Sequence, residues 1–447
     1  MIARRARRLP PSVPGAWLVG NTLQYIRDPL GFLTRASREQ GDVARSRLGP
    51  YDEYLIFHPD LIEYVLRVHQ ENYIKDRLTQ MLRPLVGNGL LTSEGAFWRR
   101  QRKLAQPGFQ QGQVQSYAAA MIDLAEREIA TWSDGQTLDI HDRMSRLTLG
   151  IVSRCLFSTD VGDASETVGP ALDVIMNRFL DPTKWFPITD HLPFPSTLRY
   201  KKAIAQIDEV VYGIIRKRRA TEGGPNDLLA RLLAAQDDEG MGMTDQQLRD
   251  EVVTLFLAGH ETTALALTYA FHLLACHPEA DARLAAELNE VLHDDRAPTL
   301  ADLPRLTYTE WVVREAMRLY PPAWGIGREA LQDDEVGGYD VPKGTQLTIT
   351  MYVTHRDPRW YEAPDEFRPE RWADDFLKKL PRGAYMPFGG GPRICIGNHF
   401  AMMEMVLTLA TVARRFQMKL VDGPILEVVP SITLRPKGPV RLRAAAR

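Results

Sequence analysis

Few cysteines, a balance of charge and the absence of repeats limit what this protein can be. Three cysteines among 447 residues cannot build a complete disulfide framework, so a reducing, cytoplasmic setting is expected. The formal net charge of -2 gives no reason to expect a nucleic-acid partner, and no stretch combines basic with aromatic side chains. Without low-complexity runs or linkers, the chain is predicted to form one domain over residues 1–447.

The first residues also lack a targeting or membrane segment. Four arginines between residues 4 and 8 resemble the start of a signal peptide, but three prolines between residues 10 and 14 interrupt the region where an apolar stretch should follow. No N-terminal membrane helix is visible, so no membrane anchor is expected. Residues 1–15 are predicted to be a basic, proline-rich and partly disordered segment.

Helical patterns dominate the remainder of the sequence. Strand-like runs are confined to Asp42–Leu48, Tyr54–Phe57, Gln346–Val353 and Ile425–Leu442. The prediction is therefore a mainly α fold with a small β-sheet region.

One helix is predicted to be unusually long. Thr244 and Gln247 have the spacing of a capping box, and Pro278 follows the last apolar residue, so a helix is expected up to Cys276. Its middle is apolar nearly all round, which indicates burial in a protein core or in a membrane. The polar run Gly259–Thr263 favours the core, because an ionisable residue at the centre of a membrane helix costs about 2.5–3.5 kcal/mol.

A glycine-rich loop near the C-terminus carries one cysteine. Cys395 comes after three consecutive glycines and is predicted to open a helix, whose N-terminus would favour the thiolate that binds metals. The apolar face of this helix is predicted from Ile396, Phe400, Met403, Leu407 and Ala410. Arg393 adds a cation for an acidic group on a ligand. The simpler interpretation is that Cys395 is a small buried apolar residue.

The whole loop resembles the haem-binding loop of the cytochrome P450 family. Phe388, Gly391, Arg393, Cys395 and Gly397 occupy the defining positions of the pattern Phe-x-x-Gly-x-Arg-x-Cys-x-Gly. The resemblance implies the cytochrome P450 fold, with the long central helix over a haem b (iron protoporphyrin IX) whose iron is held by the Cys395 thiolate. The residues within these motifs are similar to those of fatty-acid hydroxylases and eukaryotic-type members of the family. The chain as a whole resembles the soluble bacterial type.

The centre of the long helix resembles the oxygen-activating segment of the same family. Glu261 and Thr262 match its acid–alcohol pair, which implies that they relay protons to dioxygen. Gly259 is interpreted as leaving space for the cofactor, and His260 is not assigned to the iron. The alternative is a helix kink with a solvated Glu261.

Other matches concern the surroundings of the haem. The resemblance implies a structural network of Glu315, Arg318 and Arg371, the first two of which lie one helical turn apart. It implies further that the haem propionates are bound by Trp98, Arg102, Arg328 and Arg393.

By family position, the substrate pocket should draw on apolar segments. These are the loop Tyr73–Leu91 and the residues Phe256, Leu257, Ala258, Ala323, Ile326 and Ile432. An apolar pocket indicates a lipophilic substrate such as a fatty acid, terpenoid, steroid or macrolide.

The resemblance implies a monooxygenase that hydroxylates or epoxidises this substrate. Only about fifty residues follow Cys395, so electrons are expected from a separate ferredoxin or flavodoxin with an NAD(P)H-dependent reductase. Arg414 and Arg415 are either contacts for that partner or solvated charges. A monomer is expected. A peroxygenase or isomerase without an electron donor, and a non-catalytic haem sensor, are the alternatives.

Overall fold

The computed structural model describes residues 7–159, 161–178, 194–221, 224–293 and 296–447. The protein is 55% helical with small sheets, as predicted. The described helices are α1 Thr22–Arg27, α2 Pro29–Gln40, α3 Pro59–Glu63, α4 Arg77–Gln80, α5 Arg83–Val86, α6 Gly95–Ala105, α7 Gln111–Ser116, α8 Ala118–Ile129, α9 Ile140–Phe157, α10 Val161–Arg178, α11 Pro195–Arg219, α12 Leu228–Ala234, α13 Asp245–Cys276, α14 Pro278–Val291, α15 Thr307–Leu319, α16 Met351–Thr354, α17 Phe376–Lys379 and α18 Asn398–Ala413. The described strands are β1 Val43–Leu48, β2 Tyr51–Ile56, β3 Tyr73–Lys75, β4 Thr137–Asp139, β5 Gly325–Ala330, β6 Asp334–Val336, β7 Tyr339–Val341, β8 Gln346–Thr350, β9 Phe416–Leu420, β10 Val428–Pro430, β11 Leu434–Pro436 and β12 Arg441–Ala446.

The chain divides into two compact units. The first contains residues 1–82, 323–366 and 373–395, and the second contains residues 83–322, 367–372 and 396–447. The organisation as one domain over residues 1–447 stays a prediction.

The first unit is built on a five-stranded sheet in the order β1-β2-β8-β5-β3. Strand β2 runs parallel to β8, and the other pairs are antiparallel. Its apolar side chains include Val43, Ile56, Leu347 and Ile349, which form one buried cluster. Burial of this face explains why the β-branched runs of the sequence adopt strands here.

The last part of one predicted strand is helical. Strand β8 ends at Thr350, and residues 351–354 form α16, where the Thr354 hydroxyl donates to the Thr350 carbonyl at 2.9 Å. Met351 and Val353 are both buried. The prediction of a strand up to Val353 was wrong because a short run with apolar residues has no periodicity that separates a buried strand from a buried helix.

Part of the proline-rich segment is held by backbone hydrogen bonds. The Arg45 amide donates to Pro11, the Val13 amide donates to Arg45, and the Asp340 amide donates to Arg8, each at 2.8 Å. Residues 1–6, which include the first two arginines of the basic run, lie outside the described residues.

The second unit is organised around α13, which has the bounds that the capping signals predict. Thr244 and Gln247 form the complete capping box, and nearly every side chain from Leu248 to Leu274 is buried. The helix packs on α9, α11 and α15. Within the described ranges, no helix is long and apolar enough to cross a membrane.

The strands of the second unit form a three-stranded sheet, β4-β12-β9, and a separate hairpin of β10 and β11. The hairpin pairs Val428 with Pro436 and Pro430 with Leu434. The predicted strand region Ile425–Leu442 therefore covers this hairpin and the first residues of β12.

Candidate functional site

The loop that carries Cys395 is closed by its own backbone. The Cys395 amide donates to the Phe388 carbonyl at 2.9 Å, and residues Gly391–Arg393 form a 3₁₀ turn between them. Gly391 has φ +66°, and a Cβ there would lie 1.9 Å from the Leu66 carbonyl oxygen. Only glycine fits this position, and the Cys395 residue is left exposed.

The helix after the cysteine loop starts later than the sequence indicates. Helix α18 begins at Asn398 with Gly397 as its N-cap, so Cys395 lies in the loop three residues earlier. The expectation that Cys395 opens the helix was wrong, because Gly397 is a poor helix former and takes the capping position. Phe400, Met403, Leu407 and Ala410 of the predicted apolar face lie on α18 and are buried, whereas Ile396 lies in the loop before the helix.

The donor set of this loop fits a haem iron. In the part of the chain that the structure describes, no group of three or more His, Cys, Asp or Glu side chains could hold a bare metal ion. A haem iron receives four ligands from the porphyrin and needs only one from the protein. Cys395, exposed in a glycine-rich loop whose backbone packs closely, has the chemistry to supply a single thiolate of that kind.

The four residues predicted to bind propionates are divided between the units. In the first unit, Arg393 is half-buried in the cysteine loop, and Arg328 is buried on β5, where its Nη1 donates to the Gly327 carbonyl at 2.8 Å. In the second unit, Trp98 is buried and Arg102 is half-buried on α6. The two are four residues apart and lie on one face of that helix.

The centre of α13 carries a hydroxyl bonded to its own backbone. Thr262 Oγ1 donates to the Ala258 carbonyl at 2.7 Å, and Ala258 itself is exposed. A Cβ on Gly259 would lie 2.8 Å from Val152 Cγ2 of α9. Gly259 therefore allows the close packing of α13 on α9, and the interpretation that it leaves space for a cofactor stays a prediction.

Glu261 is engaged in a buried ion pair with an arginine that the sequence did not indicate. The residue is 2% exposed, and its Oε1 accepts from Arg435 Nε at 2.6 Å and from Thr433 Oγ1 at 3.2 Å. Arg435 Nη2 donates to Oε2 at 3.2 Å. Burial raises the pKa of Glu261, but the charge and hydrogen bonds of Arg435 outweigh burial and hold the pKa below its usual value.

An ionised carboxylate whose oxygens already accept three hydrogen bonds is a poor proton donor. The geometry thus argues against the predicted relay role of Glu261, and also against the alternative of a solvated side chain. Thr433 and Arg435 are the residues that the sequence missed. Thr433 lies directly before β11 and Arg435 lies on it, and no local motif marks either residue as a partner of Glu261.

The structure brings together Glu315, Arg318 and Arg371. Glu315 and Arg318 are fully buried and paired through Arg318 Nε and Nη2, each 2.9 Å from a carboxylate oxygen. Arg371 Nε donates to Glu315 Oε1 at 3.1 Å, and Trp372 Nε1 donates to Oε2 at 3.0 Å. The carboxylate is therefore satisfied by two cations and an indole.

The predicted pocket residues differ in their surroundings. Phe256 is 3% exposed and stacks on Phe157 with 4.4 Å between ring centroids, and its place in the pocket stays a prediction. Leu257 is also buried. Ala258 is exposed and Ile432 half-buried in the second unit. Ala323 and Ile326 are half-buried in the first unit, packed on its sheet core.

Arg414 is not available to a partner. Its side chain is buried and forms an ion pair with Glu126 of α8, whereas Arg415 is half-exposed and 3.9 Å from the same carboxylate. Both interpretations of Arg414, as a docking contact and as a solvated charge, were wrong because the end of α18 packs against α8.

Comparisons with known proteins point to the same family that the Cys395 loop resembles. The family model of cytochrome P450 matches residues 10–441. Cyclooctatin synthase of Streptomyces melanosporofaciens is 39% identical over 96% of this chain and 94% of that protein. Cyclooctat-9-en-7-ol 5-monooxygenase of the same organism is 39% identical over 93% of this chain and 90% of that protein. Pentalenene oxygenase of Streptomyces avermitilis is 34% identical over 98% of this chain and 97% of that protein.

Solved structures extend the agreement to three dimensions. The retinoic acid-bound cyanobacterial CYP120A1 covers 99% of this chain, and this chain covers all of it, with a TM-score of 0.89 and 27% identity. The cytochrome P450DA heme domain has the same TM-score at 28% identity, with 99% of each chain covered. The chain therefore belongs to the cytochrome P450 family, whose cofactor is haem b.

Proposed function

We propose that this cytochrome P450 monooxygenase inserts one oxygen atom from dioxygen into a terpenoid, by hydroxylation or epoxidation, with Cys395 as the protein ligand of the haem iron. The observation that supports Cys395 most directly is its exposure in a loop where Gly391 cannot be replaced without a clash. The terpenoid class is supported by two relatives, which are named as a cyclooctat-9-en-7-ol 5-monooxygenase and a pentalenene oxygenase.

The side chains near Thr262 suit such a substrate. Ala258 presents a methyl group one turn before Thr262 on α13, and Ile432 is a half-buried apolar side chain. A terpenoid hydrocarbon offers few polar groups, so an apolar surface binds it without leaving buried polar groups unpaired.

When bound, haem b supplies the activation of dioxygen. The thiolate of Cys395 would hold the iron, and the two propionates would be bound by Trp98, Arg102, Arg328 and Arg393. The Thr262 hydroxyl, which donates to the Ala258 carbonyl, would accept a proton from water and supply one for the activation of dioxygen. Electrons come from a ferredoxin or flavodoxin with an NAD(P)H-dependent reductase. The monomeric state and the cytoplasmic location stay predictions.

Two measurements on the purified protein test this function. The absorption spectrum of the reduced protein with carbon monoxide should show the band of thiolate ligation in the wild type and should lose it in Cys395→His. A panel of cyclic terpenes, steroids, fatty acids and macrolides is then incubated with a ferredoxin, its reductase and NAD(P)H. Oxygenated products from terpenes support the proposal, whereas products only from the other classes, or only with added peroxide, contradict it.

A further inference from the structure

The C-terminal hairpin is fastened to the middle of α13 at several points. Thr433 and Arg435 both donate to the Glu261 carboxylate. Between them, the Leu434 carbonyl accepts from the Tyr269 hydroxyl, and the Leu434 amide donates to the Pro322 carbonyl at 2.9 Å. Thr433 ends the turn before β11 and Arg435 lies on β11, so side chains from both the turn and the strand reach Glu261.

This attachment joins two segments of the proposed site. The turn between β10 and β11 consists of residues 431–433 and carries Ile432, a predicted substrate contact. On the helix, Glu261 precedes Thr262 directly, so the ion pair is attached to the turn of α13 that carries the Thr262 hydroxyl. The ion pair thus connects the position of Ile432 with that of Thr262.

Stability alone does not account for the ion pair. The side chains of Glu261 and Arg435 are 3% and 12% exposed, and a buried pair of this kind is often no more stabilising than apolar residues of the same size. Its directional hydrogen bonds instead fix one geometry. We propose that Arg435 is a positioning residue of the oxygenation reaction, which holds the Ile432 turn against α13 through Glu261 and so couples substrate fit to proton supply at Thr262.

The inference rests on the proposed function, but part of its test does not. Hydrogen exchange of the haem-loaded protein measures how tightly residues 428–436 are held. In Arg435→Leu these amides should exchange about tenfold faster than in the wild type. The control is Lys437→Gln, which removes an exposed ion pair with Glu427 near the same strand and should leave the exchange unchanged. Unchanged exchange in Arg435→Leu overturns the proposal whether or not the protein oxidises terpenes.

The pH dependence of coupling separates positioning from mere structural support. Coupling is the ratio of oxygenated product to NAD(P)H consumed. The titratable and charged groups that act on Glu261 are Arg435 from the hairpin, His260 and Tyr269 from α13, and His141 from α9. With Arg435 present, Glu261 stays ionised and coupling should be constant between pH 6 and pH 8. Without Arg435, burial raises the pKa of the Glu261 carboxyl, so the coupling ratio should become pH-dependent.

Two further variants and a binding measurement separate a loss of positioning from a loss of folding. Arg435→Lys retains the charge and should restore a flat pH profile. Glu261→Leu combined with Arg435→Leu leaves no unpaired buried charge, so it should fold even where Arg435→Leu does not, and should still couple poorly. Terpene binding, followed by the haem absorption shift, should weaken about tenfold in Arg435→Leu and not in Lys437→Gln. Faster exchange with unchanged coupling and unchanged terpene binding would also overturn the proposal.

Discussion

At the scale of single residues, the hydroxyl of Thr262 is the group whose loss should affect chemistry without affecting the fold. In Thr262→Ala the rate of oxygen transfer should fall by about 100-fold, because a positioned proton donor is removed. The electrons that NAD(P)H supplies should then appear as hydrogen peroxide, which is measured together with product. Thr268→Ala is the matched control, since Thr268 makes the same 2.7 Å bond to the carbonyl four residues earlier on α13. Equal peroxide formation by both variants would remove Thr262 from the mechanism.

A side chain at position 391 should destabilise the folded protein. Gly391→Ala should destabilise the haem-loaded protein by more than about 3 kcal/mol, because an alanine at positive φ is strained and its Cβ would collide with the Leu66 backbone. Gly95→Ala is the control, because Gly95 has φ +59° with nothing within 4 Å of the added Cβ, so it should lose only about 1 kcal/mol. Urea unfolding measures both values. A similar loss in the two variants would show that the contact with Leu66 relaxes at little cost.

At the scale of elements, the Glu315 network should be the most sensitive feature of α15. Glu315→Gln leaves Arg318 and Arg371 buried without a countercharge, and breaking a buried pair in this way typically costs about 3–5 kcal/mol. Glu310→Gln removes the surface pair with Arg314 on the same helix and should cost less than about 1 kcal/mol. Denaturant midpoints of the haem-loaded variants distinguish the two. Equal midpoints would mean that the network contributes nothing beyond an exposed pair.

Local signals account for the elements that could be predicted. The bounds of α13 follow from a capping box and a proline, and the buried face of α18 follows from its spacing. The sheet order β1-β2-β8-β5-β3 could not be derived, because it pairs strands almost 300 residues apart. Arg435 was missed for the same reason, since its contact with Glu261 spans 174 residues. Gly391, Cys395 and Thr262 could be proposed as site residues because motif spacing is local.

At the scale of the whole molecule, stability should depend on pH through a buried carboxyl outside the proposed site. Burial raises the pKa of Glu251 to about 8, although the Leu90 amide donates to its Oε2 at 3.1 Å. In the unfolded chain the carboxyl titrates near its ordinary value of 4.5. Between these values the folded protein binds the extra proton, so this group makes the free energy of unfolding fall as pH rises, by at most about 1.4 kcal/mol per pH unit.

Removal of the Glu251 carboxyl should weaken the pH dependence of the free energy of unfolding. Glu251→Gln keeps an oxygen for the Leu90 amide and cannot ionise, so the free energy of unfolding should fall less steeply from pH 5 to pH 8 than in the wild type. The variant should therefore gain relative stability as the pH rises through this range. Glu290→Gln, at an exposed position on α14, should follow the wild-type curve. Urea unfolding of the haem-loaded proteins at several pH values measures the slopes, and parallel curves for Glu251→Gln and the wild type would show that Glu251 is already ionised in the folded protein.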